Sequence, residues 1–325
     1  MAHDGAMTSR PRSRAAHAAT VAVVLAATLA ASSSASSSAS SSTVLAPRTA
    51  PEAARSVTYT SEASSRAATI VVPTSVGGVP SPSPSGFLCR IVHSSTITVM
   101  CTIGRSVDGR AIVAERQGAA ASRRVLVVIG QMHGEEWPGP LTVDALRKVA
   151  TPTTATYSIW TVRSMNPDGG AIGRRWNSHG VNLNANFPNK FVPGTRSGRR
   201  ALSEPESRAI ARFLVWIQPD LVISLHGFST AVDTTGGGRR AAWARAFSTL
   251  SRIVPAHVVP CGGPCHGNMT DWYTATSKVH GVAFTVEMPR TSRVVRACGV
   301  PGRPRGTTIQ CAAWAAVYLA PRLPA

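Results

Sequence analysis

The chain has 325 residues, with 34 Lys and Arg against 15 Asp and Glu (formal net charge +19), 43% hydrophobic residues, 6% aromatic residues and 6 Cys. That length and apolar content accommodate one sizeable core and exclude a wholly disordered chain. Beyond the first thirty residues the apolar runs stop at about eight, short of the ~20 a span requires, which excludes a multi-span membrane protein.

At the N-terminus, Arg10, Arg12 and Arg14 precede an Ala/Val/Leu run over 18–31 and then small residues, the layout of a secretory signal peptide over 1–32. An uncleaved anchor is the alternative, but the run is short for a stable span, so no membrane span is expected after processing. Residues 33–85 read as a Ser/Ala/Pro low-complexity linker, too poor in apolar groups to offset the entropy of ordering. The folded domain is expected over 86–325, as a monomer that is secreted or held in the cell envelope.

Residues 1–85 hold six Arg and three acids, so 86–325 carries 28 basic and 12 acidic groups, a net of +16. Such a domain suits an anionic envelope. It shows no aromatic-interleaved basic ribbon and no recognition helix, which argues against nucleic acid. Because 31 of the 34 basic residues are Arg in an Ala-rich chain, compositional drift contributes to the charge as well. Six Cys in an exported chain imply three disulfides. The local couples are Cys89 with Cys101, Cys261 with Cys265, and Cys298 with Cys311.

Within the domain, short apolar runs alternate with helical patterns, the rhythm of an α/β fold. The expected class is a single-domain mixed, mostly parallel β-sheet with helices on both faces. Residues 125–130 (VLVVIG), 157–162, 221–225 (LVISL) and 282–286 are continuous apolar runs and read as buried strands. Residues 137–149 read as a helix. A second helix starts at Ser203-Glu204-Pro205-Glu206, with Ser203 as N-cap and Glu206 completing a capping box, and ends before Pro219. The stretch 165–202, rich in Asn, Gly and Arg, is too long for a connector and is a candidate site builder.

Four residues stand out chemically. His133 and Glu136 follow the first strong strand three residues apart, a spacing that converges on one side of a helical turn and can clasp an ion. A capping carboxylate or salt bridge is the plainer reading of that pair taken alone. His226 ends the 221–225 run, where the carboxyl ends of α/β strands build sites. Glu287 follows the buried run 284–286, and burial there would raise its pKa toward the range of a useful base.

These residues sit in seven motifs, in order: IGRSVDGRAI (103–112), QMHGEEWPG (131–139), MNPDGG (165–170), GVNLNANFP (180–188), SEPESRAI (203–210), DLVISLHG (220–227) and FTVEMPR (284–290). Together they resemble the zinc metallocarboxypeptidases of the carboxypeptidase A type, especially the bacterial murein-peptide amidase branch, over about 103–290. The resemblance implies one Zn2+ per chain held by His133, Glu136 and His226, with Glu287 as general base. It implies Arg175 as the arginine that steadies the oxyanion, with neighbouring Arg174 as competitor, and Asn184 as a holder of the substrate's terminal carboxylate. Tyr273 lies in the region of the family's active-site tyrosine, although packing is its simpler role; Asp271 or Thr270 would line the specificity pocket.

Two positions depart from the family pattern. Ala185 stands where the family has a carboxylate-gripping Arg, and Arg290 is the candidate substitute. Asn182 replaces an Asp that orients a ligating histidine. The implied activity is hydrolysis of an amide near the C-terminus of a peptide, with cell-wall stem peptide as substrate. The rival readings are a degenerate wall-binding module and a zinc deacylase or esterase on the same fold.

Overall fold

The computed structural model describes residues 86–324 apart from 93, 95, 150, 258–264 and 304. The expected signal peptide and linker over 1–85 lie outside the described residues. Nine strands form one sheet: β1 (Leu88–Ile91), β2 (Val99–Arg105), β3 (Ala111–Gly118), β4 (Arg124–Ile129), β5 (Tyr157–Val162), β6 (Leu221–Phe228), β7 (Ala231–Asp233), β8 (Pro255–Ala256) and β9 (Val282–Pro289). Their order is β1-β2-β3-β5-β4-β6-β9-β7-β8. The central strands β5, β4, β6 and β9 run parallel, and antiparallel pairings add β3 at one side and β7 at the other.

The parallel strands are mostly apolar because both of their faces are covered. Val127 and Ile129 of β4 point into a core with Trp160 and Phe213; Leu126 and Val128 point into a second core with Ile223, Phe247 and Phe284. This period-two split puts α3 (Pro205–Ile217) and α5 (Met269–Thr276) on one face. On the other lie α1 (Pro138–Arg147), α4 (Gly238–Ser251) and α6 (Thr308–Leu319). Each fully buried large apolar side chain contributes roughly 1.5–3 kcal/mol by leaving water. The buried face of α6 is built from Ala312, Ala313, Ala315 and Ala316, which let it approach α1 and α4 closely.

Two of the expected disulfides are present. Cys89–Cys101 ties register partners of β1 and β2, and Cys298–Cys311 pins the loop before α6 to that helix. Cys265 is disulfide-bonded, but its expected partner Cys261 lies outside the described residues.

Local details correct the expected element boundaries. The N-cap of α3 is Glu204, with Pro205 at its first position and no side-chain cap, so the Ser203 to Glu206 capping box does not form. Ser203 instead accepts from Asn186 Nδ2 and donates to Glu204, while Glu206 accepts the Val107 N–H and Asn177 Nδ2. Asn186 wins the serine because the 165–202 segment folds onto this end of α3. That segment also contains α2 (Pro167–Ile172) and a 3-10 turn at Leu183–Ala185. The first predicted helix is shorter than 137–149: Trp137 is its N-cap and Arg147 its last residue. Strands β6 and β9 run further than predicted, so His226 and Glu287 lie inside them rather than after them.

Candidate metal centre

β4 ends at Ile129, and the chain then turns through Gly130 and Gln131, whose φ is 51°. Gly134 must approach other backbone closely. A Cβ there would stand 2.1 Å from the Gly169 carbonyl carbon and 2.3 Å from the Arg174 oxygen. The Gly134 N–H donates to the Arg175 carbonyl, which couples the His133 turn to the segment carrying Arg175.

Both predicted histidines and Glu136 are buried. His133 Nδ1 lies 2.8 Å from Glu136 Oε1 and 3.3 Å from His226 Nδ1, and His226 Nδ1 lies 3.2 Å from Glu136 Oε2. All three ligand atoms fall within 4.8 Å of one another. The other ring nitrogens face outward to oxygen: His133 Nε2 is 2.9 Å from Asn182 Oδ1, and His226 Nε2 is 3.1 Å from Ser224 Oγ. Asn182 Oδ1 already accepts the Asn184 N–H and can only accept from the ring, so His133 carries its proton on Nε2. That tautomer leaves the Nδ1 lone pair directed at the shared space.

The charges fit a cation. Burial holds His133 below the ordinary imidazole pKa; burial also opposes charge on His226, but the Glu136 carboxylate outweighs it and raises His226. Burial works against ionised Glu136 too, yet the two imidazoles bring its carboxyl down to about 2. Apart from the His226 nitrogen 3.2 Å away, Glu136 Oε2 has no partner among the described residues. Two buried nitrogens and a buried, under-bonded carboxylate are a donor set suited to zinc.

Glu287 and His226 are register partners on adjacent parallel strands, so their side chains share one face. Burial raises the Glu287 pKa above the ordinary carboxylate value, partly offset by His226. Arg175 reaches the centre from the loop side, its NH1 3.2 Å from both Glu135 Oε1 and Glu136 Oε1.

A cavity of about 190 Å³ joins these groups to Asn182, Asn184, Ala185, Asp271 and Thr270. It also contains residues that sequence reasoning missed. Arg240, from the first turn of α4, is buried between Asp233 (2.9 Å) and Asp271. No local sequence signal pairs these three; β7, α4 and α5 bring them together. The Asp271 carboxyl lies below its ordinary pKa: burial opposes the charge, and Asn268 and Arg240 stabilise it.

Three of the expected substrate residues are not in this cavity. Arg290 is exposed and stacks over the Phe228 ring at 4.1 Å, so it does not stand in for the arginine absent at 185. Tyr273 is buried in the core with its hydroxyl donating to the Pro219 carbonyl, which makes it a packing residue. Arg174 lines a separate cleft beside Arg175.

Residues 90–249 match the zinc carboxypeptidase family model, Peptidase M14. Murein peptide amidase A of Escherichia coli strain K12 is 28% identical over 162 residues, which cover 44% of this chain and 66% of that protein, a little under two thirds of its length. Among solved structures, the murein-tripeptide amidase from Escherichia coli O157 superposes with a TM-score of 0.50 at 25% identity, over 59% of this chain and 84% of that one. Carboxypeptidase A from Helicoverpa armigera reaches a TM-score of 0.54 at 20% identity, over 70% of this chain and 68% of its own, and shows the shared fold.

Proposed function

Since the chain belongs to the zinc carboxypeptidase family, we propose that it is a peptidase cutting an amide near the C-terminal end of a peptide, with cell-wall stem peptide as its natural substrate. The observation that carries this reading is the meeting of His133 Nδ1, His226 Nδ1 and Glu136 in one buried space, with Glu287 beside His226 across the strand pair. Zinc held by these three residues would supply Lewis acidity for the scissile carbonyl and lower the pKa of a water in the cavity. Glu287 takes the proton of the attacking water on its carboxylate and passes it to the leaving amine. Its raised pKa suits both halves of that transfer. Arg175, already against Glu135 and Glu136, presents a fixed guanidinium to the oxygen that gains negative charge. Asn182 fixes the His133 ring, and Ser224 fixes His226.

The stem-peptide assignment draws on the murein-acting relatives, on the +16 charge of 86–325 and on the leader-like N-terminus, which also favours a secreted or envelope location. Among the described residues no helix is long and apolar enough to cross a membrane. Incubating the purified protein with murein tripeptide and with free-carboxylate peptides, with and without chelator, tests the proposal. Chelator-sensitive release of a C-terminal fragment is expected; no release from either substrate class would end it. Ala185 favours a second reading, a wall-binding module without turnover. Purified protein that binds wall material but carries no stoichiometric zinc would select that reading.

A further inference from the structure

Beside the catalytic cavity lies a second cleft of about 530 Å³, lined by Arg174, Arg175, Trp176, Arg196 and the backbone around Gly169 and Gly180. The two cavities share one residue, Arg175. Their charge differs sharply. The far end of the catalytic cavity holds two carboxylates, Asp233 and Asp271, against the single guanidinium of Arg240. The second cleft has three arginines and no acidic lining residue among the described residues.

The cleft is also pre-shaped. The guanidinium of Arg196 lies 4.6 Å and that of Arg175 5.7 Å from the centre of the Trp176 ring, and Arg196 NH1 donates to the Gly180 carbonyl. Stacked, partly anchored guanidinia lose less freedom on binding and keep donors in a fork that matches a carboxylate. Arg174 is exposed, and no hydrogen bond or ion pair holds its side chain among the described residues.

Arg175 faces the scissile carbonyl in the proposed reaction. The cavity beyond it, towards Asn184 and Arg240, takes the part of the substrate that leaves. The second cleft also borders Arg175 and lies outside that leaving-group cavity, so it is open to the acyl part of the peptide. We propose that Arg174, Trp176 and Arg196 form a subsite for a carboxylate side chain or free carboxylate on the acyl side of the scissile bond, one or two residues before it. This inference rests on the peptidase reading. It adds a preference for acidic peptides that the metal centre itself does not require.

The test uses zinc-loaded protein and two peptides identical except that one carries Glu and the other Gln at both the first and the second residue before the cut. The Glu peptide should show about tenfold higher kcat/KM at low salt, mostly through KM. The ratio should fall toward one in about 0.5 M salt and in the double variant R174Q/R196Q. A second double variant, R90Q/R245Q, removes equal charge from exposed sites on β1 and α4 that line neither cavity. It should keep the ratio. Equal kcat/KM for both peptides in the parent protein would overturn the subsite. So would an equal loss of the ratio in both double variants, which would assign the preference to the general field of a basic protein. Should neither peptide be cut, the peptidase reading fails instead, and calorimetric binding of the two peptides to zinc-free protein still decides the cleft.

Discussion

The metal centre and the far end of the same cavity are built by different means. Ligands and base at the centre sit on or next to the parallel strands β4, β6 and β9, where register alone places His226 beside Glu287. The far end is assembled from the short strand β7 and the first turns of α4 and α5, and its charges come as one ion-paired group of Arg240 with Asp233 and Asp271. Chemistry is therefore fixed by the most rigid part of the fold, and recognition by a part that can change one residue at a time. Ala185 is such a change: it opens the place of a carboxylate grip without touching the strands.

The sharpest way to break this contrast is at the base. E287Q keeps the size of the side chain and removes its proton acceptor, so kcat should fall by roughly 10²–10⁴ with zinc content unchanged. Lost zinc in that variant would mean that Glu287 belongs to the coordination set. In the parent enzyme the carboxylate must be ionised to accept the water's proton. Because burial raises its pKa, activity should fall on acidification at a pH above the ordinary carboxylate value of 4.5, and that limb should vanish in E287Q.

At the far end the largest effect is on stability. R240M leaves Asp233 and Asp271 facing each other with no cation between them, and breaking such a buried group costs about 3 kcal/mol. Denaturant unfolding of the zinc-loaded protein measures it, and a loss below about 1 kcal/mol would show the trio to be a solvated surface group. A185R should raise kcat/KM for free-carboxylate peptides about tenfold by restoring one charge-assisted contact. An unchanged substrate profile would favour a deacylase or esterase. A change of similar size is expected in N182D. A charged acceptor on His133 Nε2 should tighten zinc about tenfold, read by competition with a chromophoric chelator.

How far each region can be read from the sequence follows the same division. Buried parallel strands are continuous apolar runs, so residues 221–225 and 282–286 announce themselves, and a polar residue at their ends is conspicuous. His133 and Glu136 are legible because a helical turn brings i and i+3 together. Arg240 is not legible: its partners come from β7 and α5, and neither spacing nor pattern links 233, 240 and 271. Arg290 is a reasonable substitute by position, but its rotamer puts it on Phe228, where a guanidinium stacks well. The capping box at Ser203 does not form because capping rules are local, and Asn186, seventeen residues earlier, competes for the same hydroxyl.

The central claim is that His133, Glu136 and His226 hold one divalent ion. Zinc analysis of the purified protein beside its H133A and H226A variants, paired with anomalous diffraction at the zinc edge, tests it most directly. One ion per chain is expected, bound by both Nδ1 atoms and a Glu136 oxygen and lost in either variant. Zinc-free parent protein, or an ion retained when both imidazoles are gone, would contradict it.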